Sequence, residues 1–98
     1  MLVNNMKQIY KNKIREIRQL VMVSKVDVQT ILDALEKDLE QLEEKIDILE
    51  TKDNLTYTQE ERLDALHEEY DTLDSYRSNV EDIIIALEEL EDATNFLD

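Results

Sequence analysis

The 98-residue chain contains no glycine, no proline and no cysteine. Without glycine, a turn that requires positive φ has to use asparagine or aspartate, and without proline no residue imposes a hard helix stop. Both absences favour long helices joined by few turns. The absence of cysteine excludes disulfides, thiolate metal sites and cysteine nucleophiles, and the absence of glycine excludes a glycine-rich phosphate loop.

Long hydrophobic runs are also missing. No apolar run approaches the roughly 18 residues that a membrane span needs, and the first residues lack the continuous apolar segment of a signal peptide. We therefore expect no membrane partner. The expected location is the cytoplasm, or the host cytoplasm if the protein is viral.

The charge is large and unevenly distributed. The formal net charge is −14, beyond the magnitude of about 2 to 8 that is usual for a small domain. Residues 1–25 carry six basic side chains and one acidic one, a net charge of +5, whereas residues 26–98 carry five basic and 24 acidic side chains, a net charge of −19. Chains this charged can be disordered, but the apolar pattern described next argues against disorder for most of the length.

The organising pattern lies between residues 28 and 49, where apolar residues recur at steps of four and three. Such a heptad seam predicts a helix of the coiled-coil type, which buries its apolar side chains only against another helix. The seam consists of Val28, Leu32, Leu35, Leu39, Leu42, Ile46 and Leu49.

The predicted elements form one helical domain over residues 1–98. A first long helix covers residues 1–51, with either smooth continuation or a mild kink over the valine-rich residues 22–27. A turn covers residues 52–58, where Leu55 and Tyr57 are expected to cover the end of the core. Thr58 and Glu61 are predicted to form a capping box at the start of a second helix over residues 59–97.

The second helix offers two apolar frames. The change between them near residues 73–76 is interpreted as a stutter, a four-residue shift of the heptad pattern. The first frame contains Leu63, Leu66, Tyr70, Leu73, Val80, Ile84 and Leu87, interrupted by Arg77. The second frame contains Tyr76, Val80, Ile83, Leu87, Leu90 and Leu97.

The charge distribution predicts how the helices pair. Folding the chain at about Leu55 places residue i opposite a residue near 110 − i. The basic Lys13, Arg15, Arg18 and Lys25 then come opposite the acidic Glu88, Glu89, Glu91 and Asp92 or their neighbours. We therefore predict an all-α fold, a long antiparallel helical hairpin of the coiled-coil type that dimerises into a four-helix arrangement. A three-helix bundle is the alternative.

The first 21 residues are predicted to form a basic amphipathic helix. Its apolar residues run at helical spacing from Leu2, Val3 and Met6 through Ile9 and Tyr10 to Leu20 and Val21, and its basic stripe holds Lys7, Lys11, Arg15 and Arg18. Such a helix can bind a membrane surface or nucleic acid. We favour pairing of its cations with acids elsewhere in the same fold, and therefore expect no direct contact with nucleic acid.

No arrangement of residues predicts catalysis. The single histidine, His67, lies near Asp64, Glu68 and Glu69, but a di-iron carboxylate bundle needs two Glu-x-x-His pairs. We interpret His67 as a surface residue and predict no enzyme activity, no catalytic residues, no metal and no cofactor. The residues do not identify a known family.

Two functions remain as hypotheses. The first is a non-enzymatic adaptor, assembly factor or inhibitor that binds protein partners by helix–helix contact. For it we predict a homodimer through Ile83, Ile84, Leu87 and Leu90 with Ile9, Tyr10 and Leu20. The second is an acidic mimic of nucleic acid, a phage-type anti-defence antagonist that blocks the basic surface of a nucleic-acid-binding protein. Its candidate contacts are Glu40, Glu44, Asp47, Glu60, Asp64, Glu68 and Asp71.

Overall fold

The computed structural model describes the backbone of residues 2–97 and the side chains of residues 7–97. Two long helices, α1 (Leu2–Glu50) and α2 (Tyr57–Ala93), pack as an antiparallel hairpin, and a short 3-10 helix (Asn95–Leu97) follows. The described residues contain no strand. The predicted all-α hairpin is thus confirmed, and the described helices do not form the alternative three-helix bundle. The side chains of Leu2, Val3 and Met6 lie outside the described residues.

The contacts between the helices divide the chain into two compact units. The turn unit consists of residues 31–81 and contains the connection between the helices. The terminal unit consists of residues 1–30 together with residues 82–98. Each unit combines a segment of α1 with a segment of α2, and each is described separately below.

Helix α1 runs without interruption through its valine-rich stretch. The structure shows smooth continuation there and no helix end between residues 22 and 27. Valine lowers helix propensity only slightly, and no glycine or proline interrupts the hydrogen-bond ladder. Thr30 donates its hydroxyl hydrogen to the carbonyl oxygen of Val26, a back-bond that a helix tolerates.

The turn begins where α1 ends, and its capping box differs from the predicted one. The Thr51 and Lys52 amides hydrogen-bond to carbonyls of the last turn of α1. The Gln59 amide then donates to Thr56 Oγ1 at 3.2 Å, and the Thr56 amide donates to Gln59 Oε1 at 3.0 Å. This reciprocal pair starts α2 at Tyr57, two residues before the predicted position. The predicted box of Thr58 and Glu61 is therefore wrong.

The predicted seam of α1 forms the core of the turn unit. Leu32, Leu39, Leu42, Ile46 and Leu49 are buried, and Leu35 is half-buried. From α2, Leu66 is buried against Leu42, Ile46 and Leu49, and Leu63, Tyr70 and Leu73 are half-buried around this cluster. Burying each such side chain fully contributes about 1.5–3 kcal/mol. Leu55 packs against this core as predicted, whereas Tyr57 is exposed and does not cover it.

The burial pattern of α2 shows one frame rather than two. The residues facing α1 continue the first frame through Arg77 to Val80, Ile84, Leu87, Glu91 and Thr94 at unbroken steps of three and four. Tyr76, Ile83 and Leu90 of the second frame are exposed. The interpretation of residues 73–76 as a stutter is therefore wrong, because the second frame is a separate stripe beside the hairpin contact.

Polar side chains complete the interface of the terminal unit. Val21 is its only described buried apolar residue, and Thr94 is buried at the end of α2. The Thr94 hydroxyl donates to the carbonyl of Glu91 at 2.8 Å, and the Thr94 amide donates to the same carbonyl at 3.1 Å. Across the helices, Lys25 Nζ lies 3.4 Å from Glu91 Oε2.

These cross-helix pairs show that the predicted register is wrong by about one heptad. The predicted register places Lys25 opposite residue 85, six residues before its partner Glu91. In the turn unit it places Glu50 opposite residue 60, whereas His67 Nε2 lies 3.0 Å from Glu50 Oε1. Counting from Lys25 and Glu91, Leu97 lies level with about residue 19 of α1. Residues 7–17 of α1, here called the overhang, therefore have no residue of α2 opposite them.

The register also changes the predicted pairing of the basic residues. Lys25 has its acidic partner on α2, as predicted. Lys13 instead pairs at 3.5 Å with Glu16 of its own helix, and Arg15 donates to the side-chain oxygen of Asn12 at 3.3 Å. The predicted pairing of Lys13 and Arg15 with α2 is wrong because α2 ends before reaching their level.

Candidate interaction surfaces

The two units expose different kinds of side chain. The turn unit carries 5 basic and 17 acidic side chains, a net charge of −12, whereas the terminal unit carries 6 basic and 8 acidic ones, a net charge of −2. Of the 15 large apolar side chains exposed among the described residues, 11 lie in the terminal unit and 4 in the turn unit. The turn unit therefore presents charge to solvent, and the terminal unit presents apolar surface.

The seven acidic candidates all belong to the turn unit and are exposed. Within the described chain, none of them lies in a salt bridge with a basic side chain. They are Glu40, Glu44, Asp47, Glu60, Asp64, Glu68 and Asp71. Their carboxylates are thus solvated and available to a basic partner, which is an arrangement that a purely solubilising surface shares.

The four apolar candidates on α2 divide into two pairs. Ile83 and Leu90 are 48% and 51% exposed and lie beside the hairpin contact. Ile84 and Leu87 are half-buried at positions that face α1. The contact with α1 uses Ile84 and Leu87, so of these four residues only Ile83 and Leu90 are available to a further helix.

The apolar candidates on α1 lie in or next to the overhang. Ile9, Tyr10 and Leu20 are exposed, as is Ile17 between them. Their spacing places them along one side of α1 with Lys13 among them and Lys7 at its edge, while Lys11 and Arg15 occupy another side. The overhang therefore keeps the basic amphipathic character predicted from the sequence.

A shallow groove in the terminal unit was missed by the sequence analysis. It has a volume of about 480 Å³ and is lined by Met22, Lys25, Val26, Gln29, Thr30 and Glu91. Met22 and Val26 supply apolar walls, and the half-exposed Lys25–Glu91 ion pair forms one edge. The four-residue spacing of Met22 and Val26 is the sequence signal that indicates these walls.

Two titratable side chains of the turn unit make notable contacts. His67 shares a hydrogen bond with Glu50 on the protein surface, which agrees with its interpretation as a surface residue.

Arg77 occupies a half-buried position facing α1, and its Nη2 donates to Asp74. This hydrogen bond and the nearby charge raise the pKa of Arg77 above its ordinary value. Its Nε is buried without a hydrogen-bond partner among the described residues.

In the described part of the chain, no group of three or more histidine, aspartate or glutamate side chains is arranged to hold a metal ion. Among residues 2–97, no helix is long and apolar enough to cross a bilayer. Comparison with protein-family models, curated proteins and solved structures found no match. The functional argument therefore depends on the two surfaces of this chain.

Proposed function

We propose that the chain is a non-enzymatic helical interaction protein, an adaptor, assembly factor or inhibitor that binds protein partners by helix–helix contact through its terminal unit. The observation that carries this proposal is the concentration of exposed apolar side chains in that unit. Contiguous apolar patches on a protein surface mark interaction sites, because leaving them in water is unfavourable.

The contrast with the turn unit supports the proposal. Six of the seven buried apolar side chains among the described residues belong to the turn unit. The same chain therefore buries its apolar residues well in one unit and leaves them exposed in the other. Because the exposed residues follow helical spacing, the partner surface that fits them best is another amphipathic helix.

Site-specific photo-cross-linking tests this function in the native host. A photoreactive amino acid at Leu20 is compared with the same amino acid at Ile48, since these side chains are 68% and 62% exposed in the terminal and turn units. We expect cross-links to protein from position 20 and none above background from position 48. Equal cross-linking from both positions, or none from position 20, would contradict the proposal.

Mimicry of nucleic acid is the second candidate, and the charge of the turn unit favours it. The α2 segment of this unit, residues 57–81, extends roughly 37 Å at 1.5 Å per residue. A net charge of −12 over that length is about one charge per 3 Å. Duplex DNA carries about one per 1.7 Å, so the two charge densities agree within a factor of two.

Two quadruple variants separate a specific acidic face from general charge. The first changes Glu60, Asp64, Glu68 and Asp71 to their amides, and the matched control changes Glu36, Glu43, Glu61 and Glu69 to glutamine. If mimicry is correct, the first variant binds a nucleic-acid-binding target at least about tenfold more weakly at low salt, because the lost contacts act in a concerted field. The affinity of each variant is measured by titration against a nucleic-acid-binding protein that cross-links to the turn unit. Equal loss in both variants, or no loss in the first, would exclude a specific acidic face.

A further inference from the structure

A second heptad stripe on α2 has no partner in the hairpin. Its members follow steps of three and four, and none is charged: Ile83, Ala86, Leu90, Ala93 and Leu97. The first four are exposed and Leu97 is half-buried. The same spacing in the seam of α1 brings a helix into contact, so this stripe is suited to a further helix. Its two alanines allow a close approach.

The overhang of α1 and the residues just after it form a surface of matching length. Ile9, Tyr10, Ile17 and Leu20 are exposed along it, and no α2 residue lies opposite residues 7–17. Residues 7–20 extend about 20 Å, and residues 83–97, which comprise the end of α2 and the 3-10 helix that follows it, extend about 21 Å at helical rise. The two apolar surfaces can therefore cover each other along their full length.

The charges around these two surfaces are complementary. On the overhang, helical spacing places Lys13 among the apolar side chains and Lys7 at their edge, three residues before Tyr10. On α2, Asp82 and Glu89 lie next to the stripe, whereas Glu88 and Asp92 lie on the opposite side of the helix. Asp82 and Glu89 have no salt-bridge partner within the described part of the chain. Within one chain these groups cannot meet, because the overhang lies beyond the end of α2. In two chains they can.

We propose that the partner of the terminal unit is a second copy of this chain, with the overhang of each copy lying along the Ile83–Leu97 stripe of the other. This proposal rests on the proposed function and identifies its partner. Reciprocal contacts of this kind form a twofold dimer in which the same surface of both copies is used. The competing arrangement, overhang against overhang, would place like charges side by side.

A lipid surface is a poorer partner for the two surfaces together. An anionic bilayer would attract the overhang but repel the acidic residues that flank the stripe of α2. A second copy of the chain covers both the overhang and the stripe of α2 in a single dimer contact. Anionic vesicles therefore serve as a competing probe in the test.

Charge reversal tests the proposal with two complementary double variants. The overhang variant is K7E/K13E, and the α2 variant is D82K/E89K; both leave the Lys25–Glu91 pair intact. We expect each variant alone to dimerise at least tenfold more weakly than the wild type in sedimentation equilibrium at low salt. An equimolar mixture of the two variants should recover dimer as a heterodimer.

The net charges of the variants make this test specific. The overhang variant has a net charge of −18 and the α2 variant of −10, compared with −14 for the wild type. If general repulsion controlled association, the α2 variant would dimerise more tightly than the wild type. Weaker dimerisation of that variant supports the proposal, whereas tighter dimerisation overturns it.

Cross-linking provides a second measurement that does not need the double variants to fold. Because the chain lacks cysteine, a mixture of L20C and L90C copies can be joined by a short bismaleimide. We expect a mixed dimer from this pair and none from the control pair of I48C and L90C. Equal yields from the two pairs would overturn the proposal.

The failure of this inference is distinguishable from the failure of the proposed function. A wild-type protein that stays monomeric, while position 20 cross-links to a different protein in the host, overturns the second copy and keeps the interaction function. Flotation with phosphatidylserine vesicles that is lost in the overhang variant and retained in the α2 variant would assign the overhang to a membrane, and would also overturn the second copy.

Discussion

The turn unit and the terminal unit are built from the same two helices but differ in how they use apolar residues. The turn unit buries six apolar side chains and exposes four large ones, whereas the terminal unit buries one and exposes eleven, among the described residues. The first arrangement stabilises a hairpin without further contacts. The second leaves apolar surface exposed, so we infer that stability and interaction are separated along the chain.

Polar residues at the hairpin contact reinforce this division. In the terminal unit, the positions facing the opposite helix include Lys25, Glu91 and Thr94. A half-exposed ion pair contributes much less than a buried leucine. Such a pair is better suited to fixing alignment than to providing stability, as polar residues do at single seam positions of paired helices.

The largest expected effect comes from placing a charge in the core of the turn unit. The substitution Leu39→Asp should lower the free energy of unfolding by about 3 kcal/mol or more, because it removes a buried side chain and leaves an unpaired carboxylate in a dry contact. Urea denaturation measures the change. The matched variant Leu20→Asp in the terminal unit should change stability by only about 0.5 kcal/mol or less. Similar losses from both substitutions would remove the distinction between the units.

A smaller gain in stability is expected from Arg77. Replacing it with leucine removes a buried Nε without a hydrogen-bond partner and extends the apolar contact of the turn unit. The variant Arg77→Leu should therefore be more stable than the wild type. The control Arg62→Leu, on an exposed position, should show no comparable gain in thermal unfolding. A destabilised Arg77→Leu would mean that this guanidinium supports the hairpin.

The smallest effect is expected for the ion pair of the terminal unit. A double-mutant cycle with Lys25→Gln and Glu91→Gln should give a coupling energy of about 0.5–1 kcal/mol, because both side chains are about one third exposed and partly screened by solvent. The coupling should fall as salt increases. A coupling above about 2 kcal/mol would instead make this pair a major source of stability.

The seam and the hairpin could be predicted from the sequence because their signal is local. Apolar residues at unbroken steps of four and three from Val28 to Leu49 define one buried side of one helix. Because the chain has no glycine or proline, the sequence offers one clear site for the turn. The alignment of the helices could not be predicted in the same way. Sliding one helix by seven residues leaves the apolar pattern in phase, and the error at Glu50 was seven residues. The Thr56–Gln59 capping box marks where α2 starts, and the Lys25–Glu91 pair joins the two helices in the observed alignment.

The stripe containing Ile83 and Leu90 shows a second limit of sequence reasoning. In a single sequence, two arrangements give the same spacing of apolar residues. One is a helix contact whose heptad frame shifts, and the other is a continuous contact with a separate exposed stripe beside it. Only the burial of Arg77, Ile84 and Leu87 distinguishes them. The sequence therefore identified apolar residues on this part of α2 but did not distinguish those used by the hairpin from those left for a partner.

Hydrogen–deuterium exchange of the wild-type protein at low and high concentration tests the division between the units most directly. Exchange reports local opening residue by residue, so both units are measured in one sample. We predict that, at low concentration, amides of the turn unit exchange more slowly than those of the terminal unit. At high concentration, protection should rise over residues 7–20 and 83–97 and stay unchanged over residues 31–81. Equal protection of both units at low concentration, or a gain confined to residues 31–81, would contradict the account.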